Sequence, residues 1–125
     1  MTLMDFLLAH PVENMEEEVI VSPRLQDRPF LVRSVTLGEM DQYQRRCRKN
    51  REFDGEAFQM LLVINHCVSP DFRSVEALEQ SGCSTPEALV ERVLKAGEIA
   101  QLAQSICNLS GFGENVRTLA NEVKN

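Results

Sequence analysis

The sequence has no excess of positive charge, no long apolar run, no paired cysteine motif and almost no histidine. Each absence closes a class of function. Thirteen Lys and Arg stand against nineteen Asp and Glu, a formal charge of −6 in 125 residues. The broad basic footprint of a nucleic-acid binder is therefore missing. No apolar stretch approaches the roughly 18 residues that a membrane span needs. The N-terminus, Met1-Thr2-Leu3-Met4-Asp5-Phe6-Leu7-Leu8, is apolar but has no positive leader and no small-residue cleavage site, so a signal peptide is not expected. Cys47, Cys67, Cys83 and Cys107 are scattered singly, without a CxxC or a Cys/His cluster. Reduced thiols in a cytosol account for them.

The same scarcity argues against catalysis. His10 and His66 are the only histidines, and no metal-ligand spacing surrounds them. Glu16-Glu17-Glu18 lacks the D-x-D-x-D-G pattern of a calcium loop. Gly111-Phe112-Gly113 is too short for a phosphate loop and reads as a helix cap. Cys67 follows His66 directly, but adjacent helical residues point different ways and cannot form a dyad. Buried structural thiols are the plainer reading for Cys67 and Cys107, with Cys83 the most exposed of the four. No Ser-His-acid arrangement stands out. Neither an enzyme nor a cofactor is expected, and no catalytic or metal-binding residue is assigned.

What is present is ordinary globular material, 43% hydrophobic and 26% charged. It suffices for one domain with a modest core. Residues 3–8 form a short apolar helical turn, ended by Pro11. Residues 11–18 are acidic and read as a solvated linker. Residues 1–16 are thus expected to be an arm and tether, and residues 17–125 a single domain. Val19-Ile20-Val21 and Phe30-Leu31-Val32-Arg33-Ser34-Val35 are strand candidates, with Phe30 and Val32 on one face. The prolines between them, Pro23 and Pro29, imply a hairpin with a longish loop.

Five helical segments follow. Thr36-Leu37-Gly38-Glu39 has capping-box form and opens a helix to about Lys49, with Met40, Tyr43 and Cys47 inward. Asp54 caps a helix from Gly55 to Cys67 that is apolar almost all round, hence central and buried. Ser74 starts a short helix through Gln80, stopped by Gly82. Thr85-Pro86 opens another, with Leu89, Val90, Val93 and Leu94 inward. Gly97 breaks that pattern. Glu98 then sits in the first turn of a helix whose Ile99, Leu102, Ala103 and Ile106 make one apolar stripe. Gly111 stands where a left-handed cap is needed, and Phe112 could fold back on Cys107 or Ile106. A weaker segment, about Asn115 to Val123, closes the chain. The expected class is α+β, mostly α: a small antiparallel β-hairpin packed on a bundle of about five helices.

Two surface features invite partners. The arm carries Leu3, Met4, Phe6, Leu7 and Leu8 at a spacing used in helix-in-groove docking. It could equally fold back on its own core or pair two copies. Five of the seven residues from Arg45 to Arg51 are basic: Arg45, Arg46, Arg48, Lys49 and Arg51. Placed at a helix end they suit the helix dipole and are solvated. A protein surface is the second reading for them, and RNA or DNA the third.

Several fragments, in order, resemble one family, the XkdN-like tail assembly chaperones of long-tailed phages and prophages of Gram-positive bacteria. They are Val19-Ile20-Val21-Ser22 with Arg24-Leu25, then Val35-Thr36 before Glu39, then the basic helix end. Asn65-His66-Cys67-Val68 with Pro70-Asp71-Phe72 comes next, then Thr85-Pro86-Glu87-Ala88-Leu89-Val90, Leu94 with Gly97-Glu98-Ile99, and Leu109-Ser110-Gly111-Phe112. The similarity runs over roughly residues 17–125. Leu25 stands where the family tends to have an aromatic. The loop 22–29 lacks the family's glycine, and Ala96 replaces its proline.

The resemblance implies a non-catalytic protein of the host bacterial cytoplasm. It would bind the tape-measure protein and hold it soluble until tail-tube subunits assemble around it, with the tail-tube protein a second candidate partner. It also implies that a longer −1 frameshift product can exist. Val123-Lys124-Asn125 can be encoded by a slippery heptamer, so the slip is expected there. The competing readings are a structural tail-completion or connector protein of the particle, and a small nucleic-acid-associated regulator using Arg45–Arg51. No nucleic acid and no membrane is expected as partner.

Overall fold

A computed structural model describes residues 2–11 and 15–111. The expected last helix, Asn115 to Val123, and the Phe112 contact lie outside them. Six α-helices, a three-stranded antiparallel sheet and a two-stranded hairpin are found among the described residues. The class is α+β and mostly α, as the periodicity implies.

Local capping fixes most helices. In α1 (Leu3–Ala9) and α2 (Leu37–Arg46), Thr2 with Asp5 and Thr36 with Glu39 form reciprocal capping boxes. The Asp54 side chain accepts from Ala57 N at 3.0 Å to start α3 (Gly55–His66). Ser74 and Thr85 do the same for α4 (Val75–Ser81) and α5 (Pro86–Val93). Gly82 ends α4 at φ 72°, the left-handed cap that a side chain resists. The last helix, α6 (Ala96–Leu109), is followed by Gly111 at φ 90°.

The sheet differs from expectation. Its first strand, β1 (Glu16–Val19), takes in the acidic Glu16, Glu17 and Glu18 read as linker and, of the expected strand Val19-Ile20-Val21, only Val19. Strand propensity alone disfavours Glu, but β2 (Phe30–Arg33) supplies a template. Glu16 stands opposite Arg33, and Glu17 opposite Val32, the first an attractive cross-strand pair. The glutamates also keep this outer edge charged, which discourages edge-to-edge pairing. Phe30 and Val32 point inward as expected.

A third strand was not expected. The helix expected to reach Cys67 stops at His66, and β5 (Cys67–Ser69) pairs with β2 on its other side, Cys67 opposite Val32. Three residues are too few to show a period of two. What makes them a strand is the free edge of β2.

The stretch expected to be a helix end is also a correction. The helix stops at Arg46, and Cys47 is buried at its cap. The strands β3 (Arg48–Lys49) and β4 (Glu52–Phe53) then form a hairpin. Its turn residues Asn50 and Arg51 have φ of 52° and 69°, the left-handed pair that a tight type I′ turn requires. At the other predicted break, Gly97 lies inside the first turn of α6. The break falls at Leu94 and Lys95, both extended, with Leu94 held in the core.

The core lies between α3, α6 and the inner face of the sheet. Leu62, Val63, Val32, Val90, Leu102 and Ile106 are fully or almost fully buried. The near-continuous apolar circumference of α3 is explained by this central place. Among the described residues no helix is long and apolar enough to cross a membrane.

Candidate interaction surfaces

Helix α1 buries none of its residues. Leu3, Met4, Phe6, Leu7 and Leu8 are each between 51% and 74% exposed. Among the described residues, local contacts complete the helix. His10 Nδ1 lies 2.9 Å from the Phe6 carbonyl, and the two rings stack at 4.2 Å. Seven residues rarely hold a helix in water by themselves, and this one is an apolar element that buries none of its own residues.

The basic run is exposed throughout its charged positions, Arg45, Arg46, Arg48, Lys49 and Arg51. Arg45 pairs with Asp41 at 3.2 Å. The other four make no ion pair among the described residues. The two sets of sequence-predicted partner residues, Leu3, Phe6 and Leu7 on α1 and the cations on α2 and its hairpin, are thus separate surfaces on separate elements.

A groove missed in the sequence lies between the start of α3 and the pair α5 and α6. It encloses about 550 Å³. Met60, Leu94 and Ile99 line it, with Asp54, Glu56, Glu87 and Glu91 as its acidic members. The signal in the sequence was weak: Glu87 and Glu91 are four apart on one helix face, but their approach to Asp54 and Glu56 depends on how α3 meets α5.

Two polar clusters hold these elements in place. Arg24, on the turn Pro23–Leu25 between β1 and β2, donates to both carboxylate oxygens of Glu98 and to the Val93 carbonyl. Glu98 Oε1 also accepts from Lys95 N at 2.8 Å, closing the start of α6. The Arg24 hydrogen bonds, followed by that from Lys95, hold the buried Glu98 carboxyl down at about 2.

In the second cluster, Arg33 donates to Glu39 at 3.1 Å and to the Asn65 carbonyl at 3.1 Å. His66 is fully buried. Its Nε2 lies 2.8 Å from Tyr43 Oη and 3.9 Å from Glu39 Oε2. Among the described residues its Nδ1 meets no acceptor at full hydrogen-bond geometry, although the main chain at Ser34 and Arg33 is near enough to favour a proton there. Burial first, then the Arg33 cation, pushes the His66 pKa down to about 4. The ring is therefore neutral, with Tyr43 donating to Nε2.

Both clusters join the sequence fragments that carried the resemblance: Arg24 to Glu98, and Thr36 with Glu39 to Asn65 and His66. The family model of the phage XkdN-like tail assembly chaperone protein matches residues 3–124. This chain belongs to that family. A curated relative, the phage-like element PBSX protein XkdN of Bacillus subtilis (strain 168), is 26% identical over 96% of this chain and 91% of its own length. The uncharacterized protein YqbN of the same strain is 25% identical over the same shares. A crystal structure of YqbN superposes with a TM-score of 0.70 at 24% identity, over 90% of this chain and 98% of that one. The general role is accordingly that of a phage tail assembly chaperone.

Burial raises Cys67 to about 12 and Cys107 to about 11, so both stay protonated and inert at neutral pH. Cys83 is half-buried, the other three buried. Among the described residues no three His, Cys, Asp or Glu side chains are grouped to hold a metal ion.

Proposed function

We propose that this chaperone binds the tape-measure protein in the host cytoplasm and keeps it soluble during tail assembly, using α1 as a docking element. The observation that carries the reading is the apolar face of α1, five large side chains at least half exposed on a helix that buries none of its own residues. Such a helix gains its packing by laying that face into an apolar surface of a client. The net charge of −6 complements this. An acidic coat on an aggregation-prone apolar client raises the solubility of the complex.

The test is co-expression of the tape-measure protein with the full chain and with a chain lacking residues 1–10. Loss of soluble client with the shortened chain is expected; unchanged solubility would sink the docking role of α1. Mass spectrometry of purified tails checks the chaperone role itself. A chaperone is missing from the particle, whereas a tail-completion or connector protein is present in it. The longer product belongs to the same reading. A slippery heptamer at the Val123-Lys124-Asn125 codons, running into an open −1 frame, is its expected signature in the gene.

A further inference from the structure

Two sets of exposed charges of opposite sign adjoin each other. One is the hairpin β3–β4 with the end of α2, carrying Arg46, Arg48, Lys49 and Arg51, with Glu52 opposite Lys49. The other is the groove bearing Asp54, Glu56, Glu87 and Glu91. None of these eight side chains is in an ion pair among the described residues. They are all exposed. β4 leads directly into Asp54, so the two surfaces are contiguous along the chain.

Each set costs the monomer something. Arg51 sits at φ 69°, a left-handed conformation in which a hairpin turn ordinarily uses glycine. The turn thus carries a long cation where backbone geometry favours no side chain at all, and such departures gather at functional positions. Glu87 and Glu91 are like charges one helical turn apart, an arrangement that weakens a helix. Below them Met60 and Ile99, both half-buried, line the groove beside the buried Leu94, and their free faces are apolar surface that a partner could cover.

We propose that the basic hairpin of one copy seats in the acidic groove of a second copy. Contiguous complementary patches suit a two-fold axis. Rotation about an axis between them sets each hairpin over the other copy's groove, so both patches are neutralised and the assembly closes as a dimer. A basic helix of a client would satisfy the groove alone, and a nucleic acid the hairpin alone. A second copy satisfies both. It also avoids bringing a polyanion to a chain with a net charge of −6. Since the pairs are exposed, the association is salt-sensitive.

The experiment is sedimentation of the full chain against ionic strength. At low ionic strength the mass is expected at twice 14.2 kDa, falling toward the monomer as salt rises. Arg48→Glu with Arg51→Glu, and separately Glu87→Lys with Glu91→Lys, should each give a folded monomer by circular dichroism. Mixed together, the two variants should recover the dimer mass, because each reversed hairpin now meets a reversed groove. Misfolding cannot produce that rescue. A wild-type monomer at low ionic strength overturns the proposal, as does a dimer that either variant leaves intact or a mixture that stays monomeric. So does a monomer whose hairpin binds DNA or RNA in a salt-dependent way lost in the arginine variant. The outcome is independent of whether α1 docks a client.

Discussion

The guanidinium of Arg24 grips the carboxylate of Glu98 by two hydrogen bonds, Nε to Oε2 at 2.8 Å and Nη2 to Oε1 at 2.5 Å, across 74 positions of sequence. The pair ties the β1–β2 connection to the start of α6. A bidentate, charge-assisted contact is directional as well as attractive. Arg24→Met leaves a buried carboxylate without its guanidinium and should lower the melting temperature. Glu98→Gln should lower it too. The double variant should lose less than the sum, since the penalty of each single change includes an orphaned partner. Additive losses in a double-mutant cycle would show that the two groups act separately.

Acid should unfold this protein in two overlapping steps. His66 has a folded pKa of about 4 against an ordinary 6.5, because burial disfavours the charged ring. The unfolded chain binds that proton more readily, so the stability present above pH 6.5 is lost as pH falls toward 4. The loss is about 3 kcal/mol. Glu98, held at about 2 against 4.5 by Arg24 and the Lys95 amide, adds a second loss between 4.5 and 2. Urea midpoints measured from pH 7 to pH 3 should fall throughout. His66→Gln should flatten the upper part of the curve and leave the lower part in place.

Tyr43→Phe removes the hydroxyl that faces His66 Nε2 at 2.8 Å. The ring nitrogen is then buried without its partner, at a cost of about 1–3 kcal/mol. Denaturant unfolding of the variant checks this. A neutral result would mean that the ring changes tautomer and donates from Nε2 to the Glu39 carboxylate, 3.9 Å away.

Core truncation should separate cleanly from surface truncation. Leu62→Ala and Ile106→Ala each empty a site that is at most 1% exposed, at about 2–5 kcal/mol. Leu37→Ala, at a position 86% exposed, should stay within about 0.5 kcal/mol of wild type. Deleting residues 1–10 should likewise leave the melting temperature unchanged, because α1 buries no residue.

Gly82→Ala should cost ~1 kcal/mol through backbone conformation alone. The glycine has φ 72°, and a Cβ built on it meets nothing within 4 Å. Gly38→Ala, with the same open surroundings and no positive φ, is the control and should not destabilise.

Capping explains how much of the fold was legible in the residues. Thr36 with Glu39, Asp54, Ser74, Gly82 and Thr85 with Pro86 each act over three or four positions, so the sequence by itself determined where α2 to α5 begin and where α4 ends. Apolar periodicity likewise determined the buried faces of α3 and α6, and the ordered fragments determined the family. Only the tertiary structure decided the rest. Glu16, Glu17 and Glu18, and Cys67–Ser69, are in strands because β2 offers an edge on each side, which no local propensity encodes. Arg48 to Phe53 is a hairpin because Cys47 is buried at the end of α2 and Asn50 and Arg51 turn left-handed. Arg24 meets Glu98, and Glu87 and Glu91 line one groove with Asp54 and Glu56, because packing joins distant segments. Short-range hydrogen bonds can be read along the chain, whereas pairings between distant residues exist only once the core has formed.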